Sequence, residues 1–221
     1  MHFAISRRTF VLASPFFLTG CAGTMRTAPN VATVQSPRLS AQLFEHYGPR
    51  PNERFPLPGI DLDEVNPEFL RRIVEYRGPE APGTIIVDTS ARLLLLIQDN
   101  GSALQYGVGV GREGLAWSGR ANVGRKSEWP RWTPTPSMIA REPEKNAKWA
   151  GGMEPGLDNP LGARALYLYR DGRDTMYRIH GTNEPWSIGT SVSSGCIRMI
   201  NQDVIDLYLR VPVGAAVIVR V

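Results

Sequence analysis

Residues 84–110 read TIIVDTSARLLLLIQDNGSALQYGVGV. Three short apolar runs follow one another in this stretch, and the polar segments Thr89-Ser90 and Asp99-Asn100-Gly101 separate them. Apolar runs of this length, bounded by turn-forming residues, are typical of strands joined by tight turns. The stretch therefore predicts consecutive β-strands at 84–88, 92–98 and 103–110.

The rest of the chain continues this pattern. Further strands are predicted at 165–169, 175–180 and 215–221, and the 22 Gly and 18 Pro favour turns over long helices. One helix is predicted over 201–210, with Asn201 as its N-cap and Val204, Ile205 and Tyr208 on one face. Together these elements predict a mainly β domain with a few short helices.

The segment before the first strand, residues 60–81, is predicted to be a helical lead-in. Asn66 and Pro67 are suited to begin a helix, and Gly78 is suited to end it. Apolar residues between them recur at helical spacing, at positions 69, 70, 73 and 74. Residues 21–59, rich in Pro, Ala, Thr, Ser and Asn, predict a flexible tether.

The first twenty residues have the pattern of an export signal. Arg7 and Arg8 precede an apolar run that is too short for a permanent membrane span. The paired arginines favour twin-arginine export, although a general secretory signal also begins with basic residues. Residues 18–21, LTGC, resemble a lipobox, so Cys21 is the expected site of lipid acylation. Because Ala22 follows rather than an aspartate, we expect a periplasmic protein anchored to the outer membrane.

Charge and composition argue against several function classes. Arg7 and Arg8 are the charged residues of the signal segment, so its removal lowers the formal net charge from +4 to +2, too little to indicate nucleic-acid binding. The remaining His46, His180 and Cys196 are too few for a zinc site, and we expect neither a metal nor a cofactor. No Gly-x-Ser-x-Gly motif occurs to indicate a serine hydrolase.

The chemistry-bearing residues are His180 and the segment Gly195-Cys196-Ile197-Arg198. An imidazole can accept the thiol proton and so produce the nucleophilic thiolate. Gly195 leaves room for substrate near the sulfur, and the guanidinium of Arg198 is suited to a carboxylate. Alternatives remain for each side chain: Cys196 as a small buried apolar residue, His180 as a structural histidine, and Arg198 as a salt-bridge partner.

A further segment, residues 129–134 (WPRWTP), allows two interpretations. Its two indoles are suited to form a substrate-binding lip, and its two prolines are equally suited to a stiff, aromatic-packed loop. The second interpretation is favoured.

Fifteen residues separate His180 from Cys196, and the cysteine lies in the segment SSGCIRM, residues 193–199. The two elements resemble the L,D-transpeptidase catalytic domain, also called the YkuD domain, and the resemblance extends over 82–221. One departure is Ser194, which stands where many members of that family carry a histidine.

The resemblance implies a β-sandwich-like fold and a peptidoglycan substrate. Cys196 would attack the diaminopimelate–D-Ala bond of a stem peptide and form a thioester, which an amine resolves by cross-linking or protein attachment. His180 would be the base, the Gly181 carbonyl would orient it, Ser194, Gly195 and Cys196 would line the oxyanion and substrate site, and Arg198 would meet a stem carboxylate. Carbapenems are expected to acylate Cys196.

Three alternatives stay open beside this interpretation. Water in place of the amine would make the enzyme an L,D-carboxypeptidase. A lipoprotein that only binds peptidoglycan would need no nucleophile at all. A sortase-like transpeptidase also orders His, Cys and Arg along the chain, but Ser-Ser-Gly-Cys fits its pattern poorly.

Overall fold

The computed structural model describes residues 37–111, 117–192 and 196–221 of the 221-residue chain. The described part is mainly β, with a few short helices, which confirms the fold class predicted from the sequence. Its strands are β1 Arg72–Glu75, β2 Ile85–Asp88, β3 Leu93–Ile97, β4 Ser102–Gly107, β5 Gly109–Gly111, β6 Gly119–Glu128, β7 Arg164–Arg170, β8 Arg173–His180, β9 Ser191–Val192, β10 Ile197–Arg198 and β11 Ala216–Arg220.

The described strands pair side by side in the order β1-β4-β3-β2-β11-β6-β7-β8-β10-β5-β9. In this order β4 and β5 lie far apart, yet in the chain only Val108 separates them. One extended residue spans about 3.3 Å, so the sheet has to curl until its two halves come together. The sequence predicted one strand over 103–110; the structure divides it because its two parts pair with different neighbours.

The largest apolar cluster of the described residues fills the curled sheet. It contains residues of the first half, such as Leu94 and Tyr106, together with Ile179 and Ile197 of the second half. Leu207, from the helix that follows β10, packs into the same cluster. The two halves therefore enclose one core, as in a sandwich, and removing this apolar surface from water is the main stabilising contribution.

The α-helices of the described residues are α1 Pro37–Tyr47, α2 Pro136–Arg141, α3 Pro143–Asn146 and α4 Asn201–Arg210, with short 3₁₀ turns at Leu62–Glu64, Pro67–Phe69, Ala147–Trp149 and Pro185–Ser187. The prediction of α4 is confirmed, but its N-cap is Ile200 rather than Asn201. No helix in the described ranges is long and apolar enough to cross a membrane.

The predicted tether packs against the domain from α1 onward. Tyr47 is 1% exposed, and Leu57 and Val65 are also buried. The Tyr47 hydroxyl accepts a hydrogen bond from the backbone N–H of Arg71 at 2.5 Å and donates to Asp203 of α4 at 3.2 Å. The tether prediction for 21–59 is therefore wrong after residue 36, because these apolar side chains find a partner surface that composition does not show.

The predicted helix over 66–78 is also wrong. Asn66 caps a turn as expected, accepting a hydrogen bond from the Glu68 N–H at 3.0 Å, but the turn ends at Phe69. The chain then forms β1, which pairs antiparallel with β4. Ile73 is 70% exposed while Val74 packs against the sheet, so burial alternates with the period of a strand.

Candidate active site

A parallel strand pair builds the centre of the site. In the β8–β10 ladder Ile197 pairs with Ile179, and Arg198 pairs with His180. Both isoleucines are buried in the core, so the alternation of side chains directs His180 and Arg198 to the opposite face of the sheet. Cys196 directly precedes Ile197 and therefore belongs to that second face.

This face opens into a cavity of about 820 Å³. His180, Cys196 and Arg198 all line the cavity, so the structure brings together the three side chains that the sequence singled out. Cys196 is half-buried, and its backbone carbonyl accepts a hydrogen bond from the Gly111 N–H at 3.3 Å. Its partial exposure and its place in the cavity lining argue against a buried apolar role.

His180 is only 3% exposed, and its ring is held by the next residue. Nδ1 lies 2.6 Å from the carbonyl oxygen of Gly181. Because a carbonyl oxygen can only accept, Nδ1 carries the proton, and the lone pair of a neutral ring is on Nε2. The predicted contact between Gly181 and His180 is thus present in the structure.

The electrostatic surroundings keep this imidazole neutral. Burial, together with the positive charges of Arg198 and Arg178, lowers the pKa of His180 to about 3, although the hydrogen bond to Gly181 favours the protonated ring. A resting pair of thiolate and imidazolium is therefore disfavoured. The lone pair on Nε2 of the neutral ring faces no proton of its own and can accept one.

Arg198 forms the ion pair that one of its predicted interpretations allows, with a partner that the sequence did not indicate. Its Nη1 lies 2.9 Å from Oε2 of Glu184, whose side chain is 40% exposed. Glu184 directly precedes the 3₁₀ turn Pro185–Ser187. The guanidinium is therefore already held in place at the cavity wall.

Asn201 holds the turn that carries Gly181. Its side-chain oxygen accepts a hydrogen bond from the Ala163 N–H at 2.9 Å, and its Nδ2 donates to the Thr182 carbonyl at 2.8 Å. A Cβ on Gly162 or Gly181 would come within 2.2 or 2.1 Å of that same oxygen. Asn201, which the sequence assigned to a helix cap, thus connects three segments around His180. Glycines lie next to the Asn201 side chain because larger residues would not fit there.

The segment 129–134 divides between the two predicted interpretations. Trp129 is buried, lies edge-on against Phe55 at 4.9 Å, and donates from Nε1 to Glu53 at 2.9 Å. Trp132 instead lines the cavity together with Trp149. One indole therefore packs the loop against the domain, and the other belongs to the cavity wall.

Several predicted positions lie outside the described residues. These are Ser194, Gly195 and the lipobox with Cys21. Sequence reasoning missed Arg178, Glu184 and the bridging role of Asn201. The spacing of Arg178 and His180, which places both on one strand face, was the available signal for the first; no local pattern indicates the other two.

Among the described residues that line the cavity, cations outnumber anions. The cations are Arg125, Arg131, Arg141, Lys145, Lys148, Arg178 and Arg198, and the anions are Glu142, Asp158 and Glu184. This excess favours a negatively charged ligand.

Comparison with known proteins agrees with the geometry. The family model "L,D-transpeptidase catalytic domain" (YkuD) matches residues 82–219. The probable L,D-transpeptidase ErfK/SrfK of Escherichia coli K12 is 34% identical over 139 residues, which are 61% of this chain and 43% of that protein. The match thus spans less than half the length of that relative.

Two further relatives extend the comparison. The putative L,D-transpeptidase YqjB of Bacillus subtilis is 36% identical over 137 residues, which cover 61% of this chain and 69% of that protein. A crystal structure from Brucella melitensis, described as a probable carnitine operon oxidoreductase, is 46% identical with a TM-score of 0.50, and the alignment covers 70% of this chain and 96% of that one. With more than half of its length matched by the family model, the chain belongs to the L,D-transpeptidase catalytic domain (YkuD) family.

Proposed function

We propose that the protein is a cysteine-dependent peptidoglycan L,D-transpeptidase. The observation that carries the proposal is the β8–β10 register, which directs His180 and Arg198 into the cavity that Cys196 also lines. A nucleophile, a base with its lone pair on Nε2 and a carboxylate-binding guanidinium are the groups that acyl transfer from an anionic peptide requires.

The first half-reaction forms a thioester. As the Cys196 sulfur attacks the carbonyl carbon of the diaminopimelate–D-Ala bond, its proton passes to Nε2 of His180. The imidazolium then donates that proton to the departing nitrogen, and D-Ala leaves as its amine. The burial and the positive charges that lower the pKa of His180 favour the return of this proton to the departing nitrogen.

The second half-reaction uses the same groups in reverse order. An acceptor amine attacks the thioester carbonyl and loses a proton to His180, and the thiolate that leaves regains it. Backbone N–H groups near Cys196, with Gly195 as a proposed contributor, would stabilise the oxyanion in both steps. No step requires a metal or an organic cofactor.

Arg198 is proposed to bind a carboxylate of the stem peptide. Its ion pair with Glu184 holds the guanidinium at the cavity wall before substrate arrives, which lowers the entropy lost on binding.

Mass spectrometry of the purified protein incubated with a carbapenem tests the proposal. We expect one covalent adduct on Cys196, absent from Cys196→Ala and formed much more slowly by His180→Ala of unchanged circular dichroism. Equal rates in His180→Ala and the parent would remove the assigned base. No adduct in the parent protein would favour a non-catalytic peptidoglycan binder.

The acyl acceptor is decided by a second assay. Incubation with a stem tetrapeptide and an amine acceptor should release D-Ala and give a cross-linked product. Release of D-Ala with only a tripeptide product would instead indicate an L,D-carboxypeptidase.

We also propose export and lipid anchoring through Cys21. The support is the LTGC segment directly after the apolar run of the signal. Metabolic labelling with a fatty-acid analogue should mark the protein in the outer-membrane fraction. Labelling that persists in Cys21→Ala would contradict this assignment.

A further inference from the structure

Side chains from four neighbouring segments form one row that ends at the nucleophile. Arg125 of β6 pairs with Tyr167 of β7, and Tyr167 pairs with Arg178 of β8. Extending the β8–β10 register by one residue places Cys196 beside Arg178. All four side chains line the cavity, and we call Arg125, Tyr167 and Arg178 the cross-strand row.

A β-bulge places Arg125 on this face. The β6–β7 register shifts between Val123 and Arg125, so Gly124 is an extra residue in β6. Val123 points into the core, and strict alternation would send Arg125 there as well. The bulge turns the Arg125 side chain to the opposite face of the sheet. Glycine is needed at position 124 because a Cβ there would lie 2.3 Å from a ring carbon of Tyr169.

Contacts within the row orient the guanidinium of Arg125, the member farthest from Cys196. The Arg125 guanidinium lies 3.5 Å from the Tyr167 ring centroid, and the Arg178 guanidinium lies 4.5 Å from it. Arg178 also contacts both carboxylate oxygens of Asp174, at 2.7 and 2.9 Å. No carboxylate among the described residues forms an ion pair with Arg125, although its planar group is stacked and oriented.

We propose that Arg125 is an anion subsite that binds a second carboxylate of the donor peptide, remote from the reacting carbonyl. Three strand spacings of about 4.8 Å separate the Arg125 backbone from that of Cys196. A ligand carboxylate bound to Arg125 therefore lies roughly 10–15 Å from the Cys196 sulfur. The inference rests on the proposed function, because it takes a stem peptide as the donor.

The α-carboxylate of the γ-linked D-glutamate fits this distance. Seven bonds join it to the carbonyl carbon of diaminopimelate, which is roughly 9 Å in an extended chain, and the sulfur adds a further ~2 Å. The ligand class is therefore a peptide with one carboxylate near the reacting carbonyl and a second one residue before it.

Binding to the Cys196→Ala protein tests the subsite without requiring turnover. Calorimetry compares two ligands, the stem tetrapeptide and the same peptide with the D-glutamate carboxylate amidated. Adding Arg125→Gln should weaken binding of the first roughly ten- to a hundredfold, the range of a charge-assisted hydrogen bond, and leave binding of the second unchanged. Arg125→Lys, which keeps the charge without the planar stack, should fall between.

Arg173→Gln is the matched control, because Arg173 is an exposed cation of β8 outside this cavity. It should alter neither affinity. Equal losses for both peptides in Arg125→Gln, or no loss for the first, would overturn the subsite. So would failure of the Cys196→Ala protein to bind either peptide, whereas the proposed function depends separately on carbapenem acylation of the parent.

Discussion

Replacement of Asn201 by alanine should both destabilise the domain and slow acylation of Cys196. The side chain is buried, and its two hydrogen bonds join the Ala163 N–H and the Thr182 carbonyl at 2.9 and 2.8 Å. Alanine would leave both backbone groups buried without their partner. Each such loss costs about 1–3 kcal/mol, so we expect a loss of about 2–6 kcal/mol in the free energy of unfolding.

The consequence for the site follows from the position of Thr182, next to Gly181. If this turn relaxes, the 2.6 Å contact between the Gly181 carbonyl and Nδ1 of His180 loses its alignment. The proton on Nδ1 is then less well fixed, and the rate of carbapenem acylation should fall at least about tenfold, as for other positioning errors. Asn201→Asp should be equally damaging, because a carboxylate cannot donate to the Thr182 carbonyl.

Thermal unfolding followed by circular dichroism measures the first effect. For a domain of this size we expect a melting temperature roughly 5–15 °C below that of the parent. Asn122→Ala is a matched control, since its amide makes one exposed hydrogen bond, to the Gly214 carbonyl at 3.1 Å, and it should change stability by about 0.5 kcal/mol at most. An Asn201→Ala protein with parental melting temperature and acylation rate would refute the reasoning.

Two further predictions concern pH and helix capping. Because the folded-state pKa of His180 is about 3, below the 6.5 of an ordinary histidine, the base stays neutral as the pH falls and is lost only near pH 3. Acylation by a β-lactam with no group titrating between pH 4.5 and 7 should therefore show no acid limb near 6.5, and such a limb would contradict the neutral-base assignment. Lys126→Met should lower the free energy of unfolding by about 1–3 kcal/mol in urea titrations, because Nζ donates to the Tyr208 and Val211 carbonyls at 2.6 and 2.7 Å, at the C-terminal end of α4. A parental midpoint in Lys126→Met would show that water replaces both bonds at no cost.

Sequence reasoning was most successful where the signal is local. The strands at 84–88 and 92–98 and the helix at 201–210 are present with small shifts at their ends. Each is specified by side-chain period and nearby turn residues. The His180 and Cys196 elements could be found because histidine and cysteine are rare in this chain.

It failed where distant contacts outweigh local preference. At 69–74 the apolar spacing suits a helix, but residues 72–75 instead form an edge strand, because they pair with β4. Strand β6 has no apolar run that would predict it, since Gly119–Glu128 is mostly polar. Its position is set by pairing with β11 on one side and β7 on the other.

The sequence by itself determined the strand-rich class, the helix after the cysteine and the identity of the candidate reactive pair. The tertiary structure alone decided which side chains share the cavity. A parallel register joins β8 to β10, a one-residue bulge turns Arg125 outward, and Asn201 connects segments that are 38 residues apart in the chain. The physical reason is that the local sequence specifies side-chain alternation, whereas register and bulges depend on which strands become neighbours when the core forms.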